Sequence, residues 1–205
     1  MDALFGVVNI PNVMWIDEEG LIVRPAEPGW PHEHQKLPEG MFESMPRLGR
    51  AKNAPPRPEG AVGQRGALST GQDRGSYPDA VRDWVAHGSA SHFALSPSEV
   101  VGRSQPRSPA VSEAAAQFEL ACHLWRDGRR DLAIAHFREC HALQPENWTY
   151  KRQAWSLVGN ERVGGRFGRF VQGPVKGEED DWPFDSDLRS DVSTLGEGEY
   201  YPKTI

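Results

Sequence analysis

The apolar residues of this chain follow two patterns, separated by long stretches with neither. Val13-Met14-Trp15-Ile16 is a short β-branched and aromatic run, which predicts a buried strand over 13–17. Glu18-Glu19-Gly20 reads as a tight turn with glycine where a positive φ is needed, and 21–23 as the returning strand, ended by Arg24-Pro25. Two strands do not stand alone in water. This hairpin therefore requires a larger sheet or a helical face, and little else in the chain reads as strand.

The second pattern is helical. Residues 2–8 read as the end of a helix that Asn9-Ile10-Pro11-Asn12 breaks. Periodic apolar residues are then nearly absent over 25–75, where Pro and Gly recur, so that stretch reads as an extended connector. Ser76 can cap a helix over 77–87 with Val81, Trp84 and Val85 on one face. Ser96-Pro97-Ser98-Glu99 has the capping-box form and starts a short helix through Val101. Ser108-Pro109 repeats the start signal for a long helix to about Asp127.

The strongest periodicity lies in 114–147. Leu120, Ala121, Leu124 and Trp125 share one face of a first helix, which Gly128 ends. Leu132, Ala133, Phe137 and Cys140 share one face of a second, closed by Pro145. Small side chains at Ala121 and Ala133 allow close approach, and Phe137 fills the wider space beside them. Counted from Ala114 in a unit of about 34 residues, Leu120, Ala121, Gly128, Ala133, Phe137 and Pro145 fall where a tetratricopeptide repeat has its consensus residues. The segment resembles one such repeat, with Cys140 in place of the usual alanine. A third helix over 148–158 is predicted to cap it, and the helix over 77–87 to supply further packing. The resemblance implies a protein partner held by the repeat.

Composition and charge narrow the picture. Hydrophobic residues make up 38% of 205, with 21 Gly and 17 Pro, so the predicted core is modest and the irregular fraction large. The net charge is −6, and residues 176–205 carry all of it, nine acids against three bases. No basic surface on the scale of a nucleic-acid-binding protein is indicated, no apolar run is long enough for a membrane span, and the first twenty residues lack a basic leader. Cys122 and Cys140 are too few for a disulfide framework. Reduced thiols and a cytoplasmic location are the expectation, with oligomeric state open.

The segment Phe5-Gly6-Val7-Val8-Asn9-Ile10-Pro11-Asn12-Val13-Met14-Trp15-Ile16-Asp17-Glu18-Glu19-Gly20-Leu21-Ile22-Val23 resembles the second half of a thioredoxin-like domain, nearest the redoxin and membrane-linked thiol–disulfide oxidoreductase branch. There a helix leads to a turn holding a cis-proline, then to a hairpin. Pro11 takes the proline's position, and Asn12 stands where threonine is usual. The family's Cys-x-x-Cys, or its single peroxidatic cysteine, lies in the first half of the fold, and neither Cys122 nor Cys140 matches it. The order of redoxin-like half, loop and repeat resembles a group of bacterial redoxin-like proteins with appended helical repeats. Two explanations stay open: a truncated redoxin-like protein, or a short form kept for binding, whose exposed hairpin edge can pair with another chain.

The expected fold is therefore α+β: a partial thioredoxin-like β-hairpin over 1–26, a loop-rich connector over 27–75, a helical repeat region over 76–160 ending in a tetratricopeptide-type hairpin, and a Gly-rich basic segment with an acidic tail over 161–205. The tail and the bases of 150–170 are expected to attract each other, with Trp182, Phe184, Tyr200 and Tyr201 as apolar anchors.

Candidate chemistry is sparse. No catalytic motif, metal site or cofactor site is predicted. The candidates for a recruited thiol are Cys122 and Cys140, each followed by a histidine, His123 and His141. Adjacent helical residues diverge by about 100°, so neither pair chelates one ion alone. The plainer reading makes Cys140 a core residue and the histidines surface groups. His32-Glu33-His34, and His87 and His92 around Ser89 and Ser91, read as solvated loop and helix end. Arg166 to Phe170 is too short an Arg/Phe/Gly stretch for a nucleic-acid tail. The function implied is a redoxin-like protein with a helical interaction module and no redox motif of its own. A thiol oxidoreductase or peroxidase using Cys122 or Cys140, and a non-enzymatic assembly protein, are the alternatives.

Overall fold

A computed structural model describes residues 7–29, 46–59, 76–104, 108–165, 167–196 and 199–200. Among them the chain is mixed α+β. Strands β1 (Asn12–Ile16) and β2 (Ile22–Pro28) form a two-stranded antiparallel sheet. Helices α1 (Ser76–His87), α2 (Pro97–Arg103), α3 (Pro109–Arg126), α4 (Arg130–Leu143), α5 (Trp148–Val163) and α6 (Leu188–Val192) follow. The helix read over 2–8 and the histidines His32 and His34 lie outside the described residues, apart from Val7 and Val8, which are in neither helix nor strand.

The hairpin turns on Asp17, whose carboxylate accepts from the N–H groups of Glu19 (3.1 Å) and Leu21 (2.8 Å), while Gly20 takes φ +80°. β2 runs further than Arg24-Pro25, to Pro28, pairing Asn12 with Pro28 and Trp15 with Arg24. A strand at the margin of a sheet tolerates proline because no partner strand needs its missing N–H. The register shifts on both sides of Trp15. Arg24 and Glu27 close over each other, Nε to Oε1 at 2.6 Å and Nη2 to Oε2 at 2.9 Å, both buried.

A helical face covers this sheet. Tyr77 and Ala80 of α1 bury Trp15, which also stacks on Trp84 at 5.0 Å between ring centroids. Arg24 Nη1 donates to the Phe93 carbonyl at 2.7 Å. Val85, expected on the apolar face of α1, is 75% exposed, and α1 packs in the hairpin cluster, not in the core of the later helices. The capping box at Ser96 is complete, with Ser96 and Glu99 each bonding the other's backbone N–H.

The second and larger core joins α3, α4 and α5. Ala121 and Ala133 are fully buried, and Phe137 and Cys140 pack beside them. Two predicted core leucines are outside it: Leu120 is 43% and Leu132 45% exposed. Phe118, one helical turn before Ala121, takes the inward place. Its ring stacks on Tyr150 at 4.4 Å and tilts against Phe137 at 5.7 Å. Gly128 (φ +78°) makes the sharp turn between α3 and α4.

The acidic C-terminal region packs against the helices. Val171, Trp182, Phe184, Val192 and Tyr200 are buried, all but Val171 in the helical core. Arg162 meets Glu178 (3.3 Å) and Asp181 (3.1 Å), and Lys151 meets Asp191 (2.6 Å). This layer covers part of α5. Part of the expected connector is also docked. Gly49 N–H donates to Pro174, Lys176 N–H to Arg47, and buried Ala51 N–H to Asp187 Oδ2 at 2.8 Å. The described residues 46–59 are thus tied to the C-terminal layer.

Candidate functional site

Residues at helical spacing on two helices build an open cleft among the described residues. On α3, Cys122, Trp125 and Arg126 stand at i, i+3 and i+4. On α5, Thr149, Arg152, Gln153, Ser156 and Asn160 repeat the same spacing along one stripe. The opposite stripe of α5, with Ala154, Trp155 and Val158, is core. The two outer stripes share an open cleft of about 620 Å³, which Asn9, Ile10, Arg169 and Gln172 also line.

The wall is held by hydrogen bonds. Arg152 donates from Nε to Gln172 Oε1 and from Nη1 to the Tyr200 hydroxyl, both at 3.0 Å. Gln172 in turn donates to Ser156 at 2.9 Å. Asn9 Nδ2 donates to the Tyr200 carbonyl at 2.7 Å, and Thr149 N–H to the Val8 carbonyl at 3.1 Å. The Tyr200 ring lies 4.8 Å from Trp148, and the Arg130 guanidinium sits 4.2 Å over Trp125. Both indoles are therefore fixed aromatic surfaces.

Pro11 adjoins this cleft through Ile10, and the Ile10–Pro11 peptide is cis. Of the two candidate thiols, Cys122 is half-buried and lines the cleft, while Cys140 is fully buried behind it. Burial, with Cys122 nearby, pushes the Cys140 thiol up to about 12, so it is a core group and not an available thiolate. His123 is exposed, but His141 is buried, contrary to its reading as a surface group. Burial and the Lys151 charge push its imidazole down to about 3, and its Nε2 has no hydrogen-bond partner.

Ser91 donates to Asp83 at 2.5 Å, and His87 bonds the same Asp83, so no serine–histidine pair forms there. Among the described residues, no group of three or more His, Cys, Asp and Glu side chains is placed to hold a metal ion. None of their helices is long and apolar enough to cross a membrane. A second, more polar hollow of about 550 Å³ lies between the docked 48–57 segment and α6.

Of the residues that line the cleft, Asn9, Arg126, Trp148, Thr149, Arg152 and Arg169 are not singled out as site residues by the sequence. The polar stripe on α5 carried a usable signal in its spacing. Asn9 and Arg169 carried none, because tertiary folding alone brings them to the cleft. Comparison with known protein families, curated proteins and solved structures finds no match.

Proposed function

We propose that this protein is a redoxin-related binding protein, in which a tetratricopeptide-like module holds a partner's extended segment in the cleft between α3 and α5, without redox chemistry of its own. The observation that carries this reading is that one stripe of α3 and one of α5 line a single open groove, with arginines at its polar positions and Trp125 in its wall. A groove of this kind suits a peptide lying across both helices. The redoxin relationship is supported by the order of elements: Pro11, an antiparallel hairpin, then a helix across one face of it. The lack of redox function is supported by burial of Cys140 and by the absence of a Cys-x-x-Cys motif.

The test is peptide selection from a random library against the full chain, followed by competition with Gln153→Trp. Gln153 is exposed and lines the groove, so the larger ring blocks it without entering the core. Selected peptides should lose binding to this variant. Peptides that bind both forms equally, or a selection that yields none, would overturn the reading.

One observation favours thiol chemistry as a second reading: Cys122 shares the cleft with Ile10, beside Pro11. It requires disulfide reduction, assayed with insulin and dithiothreitol, that disappears in Cys122→Ser. Turnover unchanged by that substitution, or no turnover, removes it.

A further inference from the structure

The net charge of the chain is −6, yet the cleft has the opposite sign. Arg126, Arg152 and Arg169 line it, and among the described residues no carboxylate does. The acids of the C-terminal layer are engaged elsewhere: Glu178 and Asp181 with Arg162, Asp191 with Lys151. Arg152 is braced by Gln172 and Tyr200, which fixes its guanidinium and lowers the cost of ordering it on binding. Arg126 and Arg169 are exposed. The arginines offer planar forks suited to carboxylates, while the partly exposed Trp125 and Leu157 offer apolar area for a large side chain.

We infer that the occupant of the cleft is an acidic peptide segment, with carboxylates on the arginines and an apolar or aromatic side chain against Trp125 and Leu157. This rests on the peptide-binding reading above and adds the charge of the partner. A neutral or basic segment would leave three cations facing no counter-charge, whereas an acidic one raises both the encounter rate and the affinity.

The experiment uses fluorescein-labelled peptides of three Glu-Leu-Glu-Phe repeats, and the same peptides with Gln for Glu, titrated into the full-length protein by anisotropy. The acidic peptide should bind at least tenfold tighter than its glutamine counterpart. Its affinity should fall at least tenfold in the double variant Arg126→Glu/Arg169→Glu and on raising the salt. Arg152 is left intact because it holds the wall, and a circular-dichroism melt confirms that the variant folds. Equal binding of the two peptides, with both blocked by Gln153→Trp, overturns the charge inference and leaves the groove reading standing. Binding of neither peptide, together with a failed library selection, overturns both. Decanoate that fills the cleft and excludes every peptide also overturns the inference, in favour of a small amphiphilic anion.

Discussion

The indole N–H of Trp15 donates to the hydroxyl of Tyr77 at 3.0 Å, across 62 positions of chain. That one bond ties the hairpin to the helix that covers it. The same hydroxyl lies 3.4 Å from Glu27 Oε1, so Tyr77 links the indole to the buried Arg24–Glu27 pair. Burial and the Glu27 charge both push the phenol's pKa above its ordinary value, which keeps it a neutral donor. Tyr77→Phe keeps the ring but strands the Trp15 N–H. We expect a loss of about 1–3 kcal/mol in urea unfolding. Trp15→Phe added to it should cost less than the sum of the two single changes. Fully additive losses would show that the bond contributes nothing.

His141 sets an acid limit. Its folded pKa, about 3, lies below the ordinary value of 6.5. As pH falls through 6.5 the unfolded chain takes up a proton that the folded chain refuses. Stability therefore drops between about pH 6.5 and pH 3, at up to about 1.4 kcal/mol per pH unit. Asp191 acts in the opposite sense. Burial raises its carboxyl pKa despite Lys151, so the folded chain protonates first and its contribution grows as pH falls. Subtracting the stability curve of His141→Leu from that of the wild type isolates the imidazole. The difference should widen steadily with acid, and a flat difference would refute the assignment.

The two cysteines should behave differently toward iodoacetamide. Cys122 is half-buried on the cleft, while Cys140 is fully buried with its thiol pushed up to about 12. At about pH 8, native protein should gain one adduct, at Cys122, and a second only in guanidinium chloride. Peptide mass mapping gives the sites. Equal native rates at both positions would contradict this placement.

Gly159 is where α5 meets the backbone of Val171. An added Cβ would run into the Val171 carbonyl oxygen and lie 2.8 Å from the Val171 side chain. Gly159→Ala should therefore destabilise by about 1–3 kcal/mol, although alanine is the better helix former. Gly102, in α2, has nothing within 4 Å of the same added atom, so Gly102→Ala should stabilise by about 0.4–1 kcal/mol. Opposite signs in thermal melts of the two variants are the expected result.

How much of this was legible in the sequence depended on how local each cause was. The capping box at Ser96, the Asp17–Gly20 turn and the α3–α4 hairpin follow from residues a few positions apart, and they form as read. β2 was read too short because Pro25 suggests an end, and only the pairing with β1 shows that no N–H is needed there. Leu120 reads as an inward residue because it lies beside the apolar stripe, but the Tyr150 ring takes Phe118 as its partner and leaves Leu120 outside. The docking of 46–59 on the C-terminal layer rests on bonds spanning more than a hundred positions, such as Ala51 to Asp187, with no local pattern to announce them. The cleft lies between these cases, its helical stripes periodic and its ends not.

The clasp between Asn9 and Tyr200 joins positions 191 apart. Asn9 lines the cleft, and the Tyr200 hydroxyl accepts from Arg152 in its wall. The wall is thus held by two segments from opposite ends of the described chain, and the Arg152 guanidinium is braced only when both are docked. Local opening at either segment therefore reaches the cleft without disturbing the α3–α4 pair.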